Sequence, residues 1–292
     1  MYDFIELLPE GQQATIQGRL AEIRSFFTPP VFKTRASMVI DGQTKFLTHT
    51  FPDDLKLDNL ELMLLTDVQY GHVACKVKKF IEYRDWILAS PKRYCFFGGD
   101  MIDAWRVGSP GTGYDNLFSP ENQFYQFCKL AAPLVGRVLG FVGGNHERRG
   151  LAGGFDLGSL LAFALELPYS AGAQVIDINW GGHKPFKSYL WHGRGAARTA
   201  GAQMNMTLSA VPNDEAQLYM SGHIHNAHAK IAWRAIRDHA KGIMKYERYY
   251  VVSAASFLEH WNSYNEVFGG TYSGLAMPVA MLYHDGEYRV EL

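Results

Sequence analysis

Shortages narrow this sequence before any motif does. Cysteine is scarce: three in 292 residues, Cys75, Cys95 and Cys128, with no close spacing. A disulfide-stapled scaffold is excluded. Cys95 and Cys128 fall in apolar settings, where a buried free thiol is the ordinary state, and a reducing cytoplasm is the expected compartment. Neither sign of charge is in surplus. Lys and Arg number 28 against 29 Asp and Glu, a formal net charge of −1, which argues against nucleic-acid binding by bulk electrostatics alone. No apolar run is long enough to span a bilayer, so no membrane partner is expected. Met1-Tyr2-Asp3-Phe4 lacks the basic start and apolar run of a signal peptide. No repeat or low-complexity stretch stands out.

What is there is a core. The chain is 47% hydrophobic, ample for one large domain or two small ones. Residues 1–57 read as an N-terminal extension packed on a main domain of residues 58–292. Within the extension, Ile16–Phe27 reads as a short helix, and Asp41-Gly42 as the turn of a hairpin between residues 36–40 and 44–48. From residue 60 the pattern becomes apolar runs alternating with helical stretches. The helices are expected over Val73–Ala89, Glu121–Leu134, Phe155–Leu167 and Thr199–Ala210.

Five apolar runs end in polar groups able to bind metal. Leu60–Leu65 leads to Asp67 and Gln69; Tyr94–Phe97 to Asp100 and Asp103; and Val138–Val142 to Asn145 and His146. Lys187–Trp191 leads to His192, and Gln217–Met220 to His223 and His225. Sites in open α/β sheets form outside the carboxyl ends of strands. Strands of one polarity would therefore bring these groups to one cleft. Carboxylates, imidazoles and amide oxygens without thiolates suit Mn²⁺, Fe, Zn²⁺ or Mg²⁺. The donors are too many for one tetrahedral ion, and two metals bridged by a carboxylate would use them.

In this order, Asp67-x-Gln69, Gly99-Asp100-x-x-Asp103, Gly144-Asn145-His146-Glu147, His192-Gly193 and Gly222-His223-x-His225 resemble the motifs of the calcineurin-like metallophosphoesterase superfamily. The resemblance implies a four-layer αββα sandwich of two mixed β-sheets flanked by helices. It implies hydrolysis of phosphate esters by a metal-bound hydroxide. Asp100 would bridge two metals, Asp67, Gln69 and His225 completing one site and Asn145, His192 and His223 the other. His146 would act on the leaving group as general acid, with Asp103 hydrogen-bonded behind it.

One position departs from the pattern: Gln69 stands where the family commonly has histidine. Gln69 as ligand is favoured, His72 could swing in instead, or the first site could be weak or empty. A neutral oxygen donor favours Mn²⁺ or Mg²⁺ over Zn²⁺ or Fe, and Mn²⁺ is the ion expected first. Arg148 and Arg194 suit bidentate phosphate contacts. Aromatics at Trp261, Tyr264, Phe268 and Tyr272 could stack on bases or anchor a loop. The favoured substrate is a phosphodiester, either a nucleotide or a nucleic acid. A DNA nuclease of the double-strand-break-repair type and a catalytically weak binding scaffold are the competing expectations.

Overall fold

The computed structural model describes residues 9–109, 111–238, 240–261, 263, 266 and 274–292. Its strands form two sheets. The six-stranded sheet has the order β13-β12-β3-β4-β5-β6 and the seven-stranded sheet β1-β2-β7-β8-β9-β11-β10. In the first, β3 (Asn59–Leu65), β4 (Arg93–Phe97) and β5 (Val138–Val142) run parallel, with β6 (Tyr169–Ser170) parallel at one edge. Beyond β3, β12 (Val279–Tyr283) and β13 (Tyr288–Glu291) are antiparallel. Every residue of β3 and β5 is buried. Strands covered on both faces need such continuous apolar runs, which is why these were readable from sequence.

The seven-stranded sheet opens with a hairpin, β1 (Lys33–Ile40) and β2 (Gln43–Thr50). Asp41 and Gly42 both have positive φ, 49° and 74°, as the tightest hairpin turns require. β2 pairs in parallel with β7 (Ala173–Asn179), so the N-terminal region contributes two strands to this sheet. β7 alternates half-buried and buried residues along its length, as a strand with one face on the core should. β8 (Phe186–Trp191) and β9 (Leu218–Ser221) run parallel. β10 (His228–Asp238) and β11 (Ile243–Ser253) form a long hairpin, with β11 joining β9 only through residues 250–253.

Four helices lie on the six-stranded side: α1 (Glu10–Arg24), α2 (Val77–Leu88), α3 (Pro120–Ala131) and α4 (Leu157–Leu165). α5 (Ala200–Leu208) packs on β9 and β11 of the other sheet. The layers are thus helix, sheet, sheet, helix, as expected. The main core lies within these layers, and a small second core of Tyr189, Ala210, Ala216, Tyr219 and Val251 lies under α5. None of the described helices is long and apolar enough to cross a membrane.

Two helix starts differ from the sequence expectation by four residues or more. α1 begins at Glu10, not Ile16. It buries only Leu20 and Ile23, so no apolar stripe marks its first turns. α2 begins at Val77, not Val73. Residues 70–75 form turns pinned by bridges from His72 to Asn116 and from Cys75 to Leu258, partners that helical periodicity cannot see.

Candidate metal centre

The predicted groups emerge where two parallel sets of strands end. β3, β4 and β5 release Asp67 and Gln69, Asp100 and Asp103, and Asn145 and His146, while β8 and β9 release His192, His223 and His225. The loops are stitched together by backbone. Asp67 N–H donates to Gly99 O at 2.9 Å, Gln69 N–H to Asp100 O at 2.9 Å and Gly222 N–H to His192 O at 2.9 Å.

Backbone strain is concentrated here. Eight non-glycine residues among those described have positive φ, and five of them are predicted ligands: Asp67, Gln69, Asp100, His223 and His225, at 48° to 68°. Each left-handed residue costs about 1–3 kcal/mol and persists only where its surroundings enforce it. Two glycines permit the closeness. A Cβ on Gly144 would lie 2.0 Å from Asp100 Oδ1, and one on Gly222 would lie 2.3 Å from Asp67 Oδ2.

Asp100, His192 and His223 offer ligand atoms that all lie within 4.8 Å of one another. His192 Nδ1–H donates to Gly98 O at 2.8 Å, and His223 Nε2–H donates to Gly195 O at 2.9 Å. A carbonyl can only accept, so each ring carries its proton on the outward nitrogen. The inward nitrogens then present lone pairs to each other at 3.3 Å, and Asp100 Oδ2 sits 3.2 Å from His192 Nε2. Asn145 Oδ1 completes the nest, 3.2 Å from His192 Nε2 and 2.8 Å from His223 Nδ1. A proton or a metal ion between such lone pairs relieves their mutual repulsion.

The electrostatics of the nest make the same demand. Burial pushes His192 down, but the Asp100 carboxylate beside it outweighs burial and raises it to about 10. Burial pushes Asp100 up, yet the His146 and His192 rings hold it far below the ordinary carboxylate range. His223 is lowered, by burial first and then by His192.

A second group adjoins the first. Asp67 is fully buried, with Oδ1 3.2 Å from His225 Nε2 and Oδ2 accepting from Thr66 Oγ1 at 2.7 Å and His223 N–H at 2.9 Å. Burial pushes Asp67 up, and His225 more than offsets it. The Gln69 amide lies 3.3 Å from His225 Nε2. Its oxygen and nitrogen are interchangeable by a half-turn, so the amide oxygen can face His225. His72 instead accepts from Ala74 N–H on Nδ1 at 3.0 Å within its own loop.

His146 stands beside both groups and is buried. Its Nδ1 lies 3.1 Å from Asp103 Oδ1 and 2.8 Å from Asp103 O, and its Nε2 lies 3.7 Å from Asp100 Oδ2. Burial lowers its pKa, but Asp100 and then Asp103 raise it further, for a net upward direction. Asp103 itself is pushed up by burial and pulled lower overall by His146.

Two neighbours in sequence were given no place in the predicted site. Glu147 is completely buried and accepts three backbone N–H groups: Asp100 at 2.8 Å, Gly144 at 2.8 Å and Met101 at 2.7 Å. It clasps the loop after β4 to the loop after β5. Arg149 reaches Asp103 O at 2.5 Å and His146 Nε2 at 3.0 Å. The one local signal was adjacency to the Asn-His pair.

Arg148 and Arg194 stand to one side of the nest. They line a cavity of about 490 Å³ together with Tyr189, Trp191, Asn145, His192 and His223. Trp261 is exposed, whereas Tyr264, Phe268 and Tyr272 lie outside the described residues.

No family model matches the chain, and no curated protein does. Several solved structures overlap it in part. A conserved Streptococcus pneumoniae protein described as a predicted phosphoesterase is 13% identical, over 80% of this chain and 98% of that one, with a TM-score of 0.33. Wild-type Vps29 of Entamoeba histolytica in complex with zinc is 12% identical, over 80% and 97%, with a TM-score of 0.34. The calcineurin-like phosphoesterase YfkN of Bacillus subtilis is 12% identical, over 80% and 88%, with a TM-score of 0.35.

Proposed function

We propose that this chain is a phosphoesterase using two divalent metal ions, with phosphodiesters of the nucleotide or nucleic-acid type as substrates. The observation that carries the proposal is the convergence of lone pairs from His192 Nε2 and His223 Nδ1 on Asp100 and Asn145. A divalent cation placed there would satisfy all four groups at once. Asp100, Asn145, His192 and His223 would hold one ion, and Asp67, Gln69, His225 and the shared Asp100 the other. Divalent ions bound there would acidify water and offset charge on a phosphoryl group. The mixed oxygen and imidazole donors, with a neutral amide at Gln69, favour Mn²⁺.

The side chains around the nest do the rest. His146, oriented by Asp103, protonates the departing oxygen as the P–O bond breaks. Phosphorus gains the hydroxyl of water, and the other proton of that water replaces the one His146 has given. A diester carries a second substituent that needs room beside the centre. The cavity lined by Trp191, Tyr189, Arg148 and Arg194 supports that preference, with a flat apolar wall and two cations able to meet phosphate.

The test is a screen of the Mn²⁺-loaded protein against a phosphomonoester, a diester, a dinucleotide and single- and double-stranded DNA. Two bound ions by mass spectrometry, with diester turnover above monoester turnover, are expected. Turnover left unchanged by His146→Ala would overturn the assignment.

A further inference from the structure

Arg149 has no place in the mechanism above, yet its guanidinium is nearly as buried as the dyad it touches. Its side chain is 8% exposed, against 2% for His146 and 4% for Asp103. The local fold explains why it is there. His146 caps a 3-10 turn over Glu147–Gly153, and Arg149 N–H donates to His146 O at 3.1 Å. Side chains three apart in such a turn eclipse, so residue 149 must lie over residue 146.

The contacts form a closed triangle. Asp103 O accepts from both His146 Nδ1, at 2.8 Å, and Arg149 Nη1, at 2.5 Å. Asp103 Oδ1 also faces both, at 3.1 Å and 3.4 Å. Arg149 Nη2 lies 3.0 Å from His146 Nε2. Both ring nitrogens are therefore gripped, one by Asp103 and the other by a fork anchored on Asp103. The Asp103 loop is itself fixed, since Ala104 N–H donates to the buried Gln123 Oε1 at 2.8 Å. Arginine can only donate, so in this arrangement Nε2 carries a lone pair and Nδ1 the proton. Phosphate contact is the other use of an arginine, but the fork is already committed to Asp103.

We infer that Arg149 is a positioning residue for His146, holding the imidazole plane so that Nε2 faces the leaving group. To act as the acid the ring takes a second proton at Nε2; that N–H turns from Nη2 to the leaving oxygen, and Nη1 keeps its hold on Asp103. The inference rests on the leaving-group role proposed for His146, and the test separates the two.

Two diesters of one alcohol are compared, one losing 4-nitrophenolate and the other an alkoxide. The nitrophenolate leaves without a proton and the alkoxide does not. In Arg149→Ala, kcat for the alkoxide diester falls about 10–100-fold, a share of what general acid catalysis supplies. The nitrophenyl diester changes little, and KM is held for both. Arg149→Ala added to His146→Ala costs nothing further. Arg149→Lys recovers only part, because a point charge cannot span Asp103 and Nε2. Nitrogen NMR of the ring gives a reading independent of turnover: one Nδ1–H tautomer in the parent protein, and a mixture in Arg149→Gln. Equal losses on both diesters, a raised KM alone, multiplicative losses in the double variant, or an unchanged tautomer would each overturn the inference. If His146→Ala itself fails to separate the two diesters, the leaving-group role falls first and this inference with it.

Discussion

His49 makes acid sensitivity predictable at a site remote from the candidate chemistry. It lies on β2, 1% exposed, with Nε2 donating to Leu139 O at 2.6 Å and Nδ1 accepting from Thr34 Oγ1 at 3.0 Å. The partner carbonyl is available because β5 is irregular there. Its pairing with β4 slips between Val138 and Gly140, leaving Leu139 out of the ladder. His49 thus ties one sheet to the other through a neutral ring, with Phe32 edge-on at 4.9 Å between centroids. Burial lowers its pKa from 6.5 to about 4, with the Leu139 hydrogen bond opposing. The sign follows. Above pH 6.5 the ring is neutral folded or unfolded, and no stability is lost. As pH falls below 6.5, only the unfolded chain takes up the proton, so stability drops until the folded ring protonates near 4. At 1.36 kcal/mol per pH unit the loss is about 2 kcal/mol by pH 5 and about 3 kcal/mol by pH 4. Urea unfolding of the parent and of His49→Gln between pH 7.5 and 4 measures it. Glutamine can keep both hydrogen bonds but cannot titrate, so the gap between the two proteins should close as pH falls. Parallel curves across that range would show that His49 does not set this sensitivity.

Other consequences follow from the centre. Asp100→Asn removes the carboxylate proposed to serve both donor groups, so metal content should fall at both positions; two full equivalents by mass spectrometry would refute the bridging role. Gly222→Ala removes no donor, but its Cβ would lie 2.1 Å from Thr66 Oγ1 and 2.3 Å from Asp67 Oδ2. Displacement of Asp67 should weaken metal binding at least tenfold in a competition titration, and unchanged affinity would mean that the loop yields elsewhere. In Glu147→Gln the amide nitrogen must face a backbone N–H, leaving at least one of the three donors unpaired. A loss of about 1–3 kcal/mol in urea unfolding is expected, and none would show that the clasp does not hold the two loops.

The donors were legible and the groups that aim them were not, for one physical reason. A donor such as Asp100 or His223 announces itself by type, a polar group where a buried strand must end. β3, β4 and β5 were readable because strands covered on both faces need unbroken apolar runs. Glu147 and Arg149 are polar residues in a polar loop, and their partners lie 46 or 47 positions away: Asp100 and Met101 N–H for the one, Asp103 for the other. Backbone amides and carbonyls leave no mark on sequence, so a side chain whose function is to bind them looks like a solvated charge. The left-handed φ values of Asp67, Gln69, Asp100, His223 and His225 are hidden for the same reason. None of these residues is glycine, and the preference of L side chains runs against the conformation they adopt. The strain lies at the donors because the loops must turn their side chains back over the strand ends, toward each other. A relaxed backbone at those five positions would leave the same residue types in the same order, facing solvent. The order of the motifs therefore specifies which groups can bind a cation, and the strained loops, clasped by Glu147, specify that they meet.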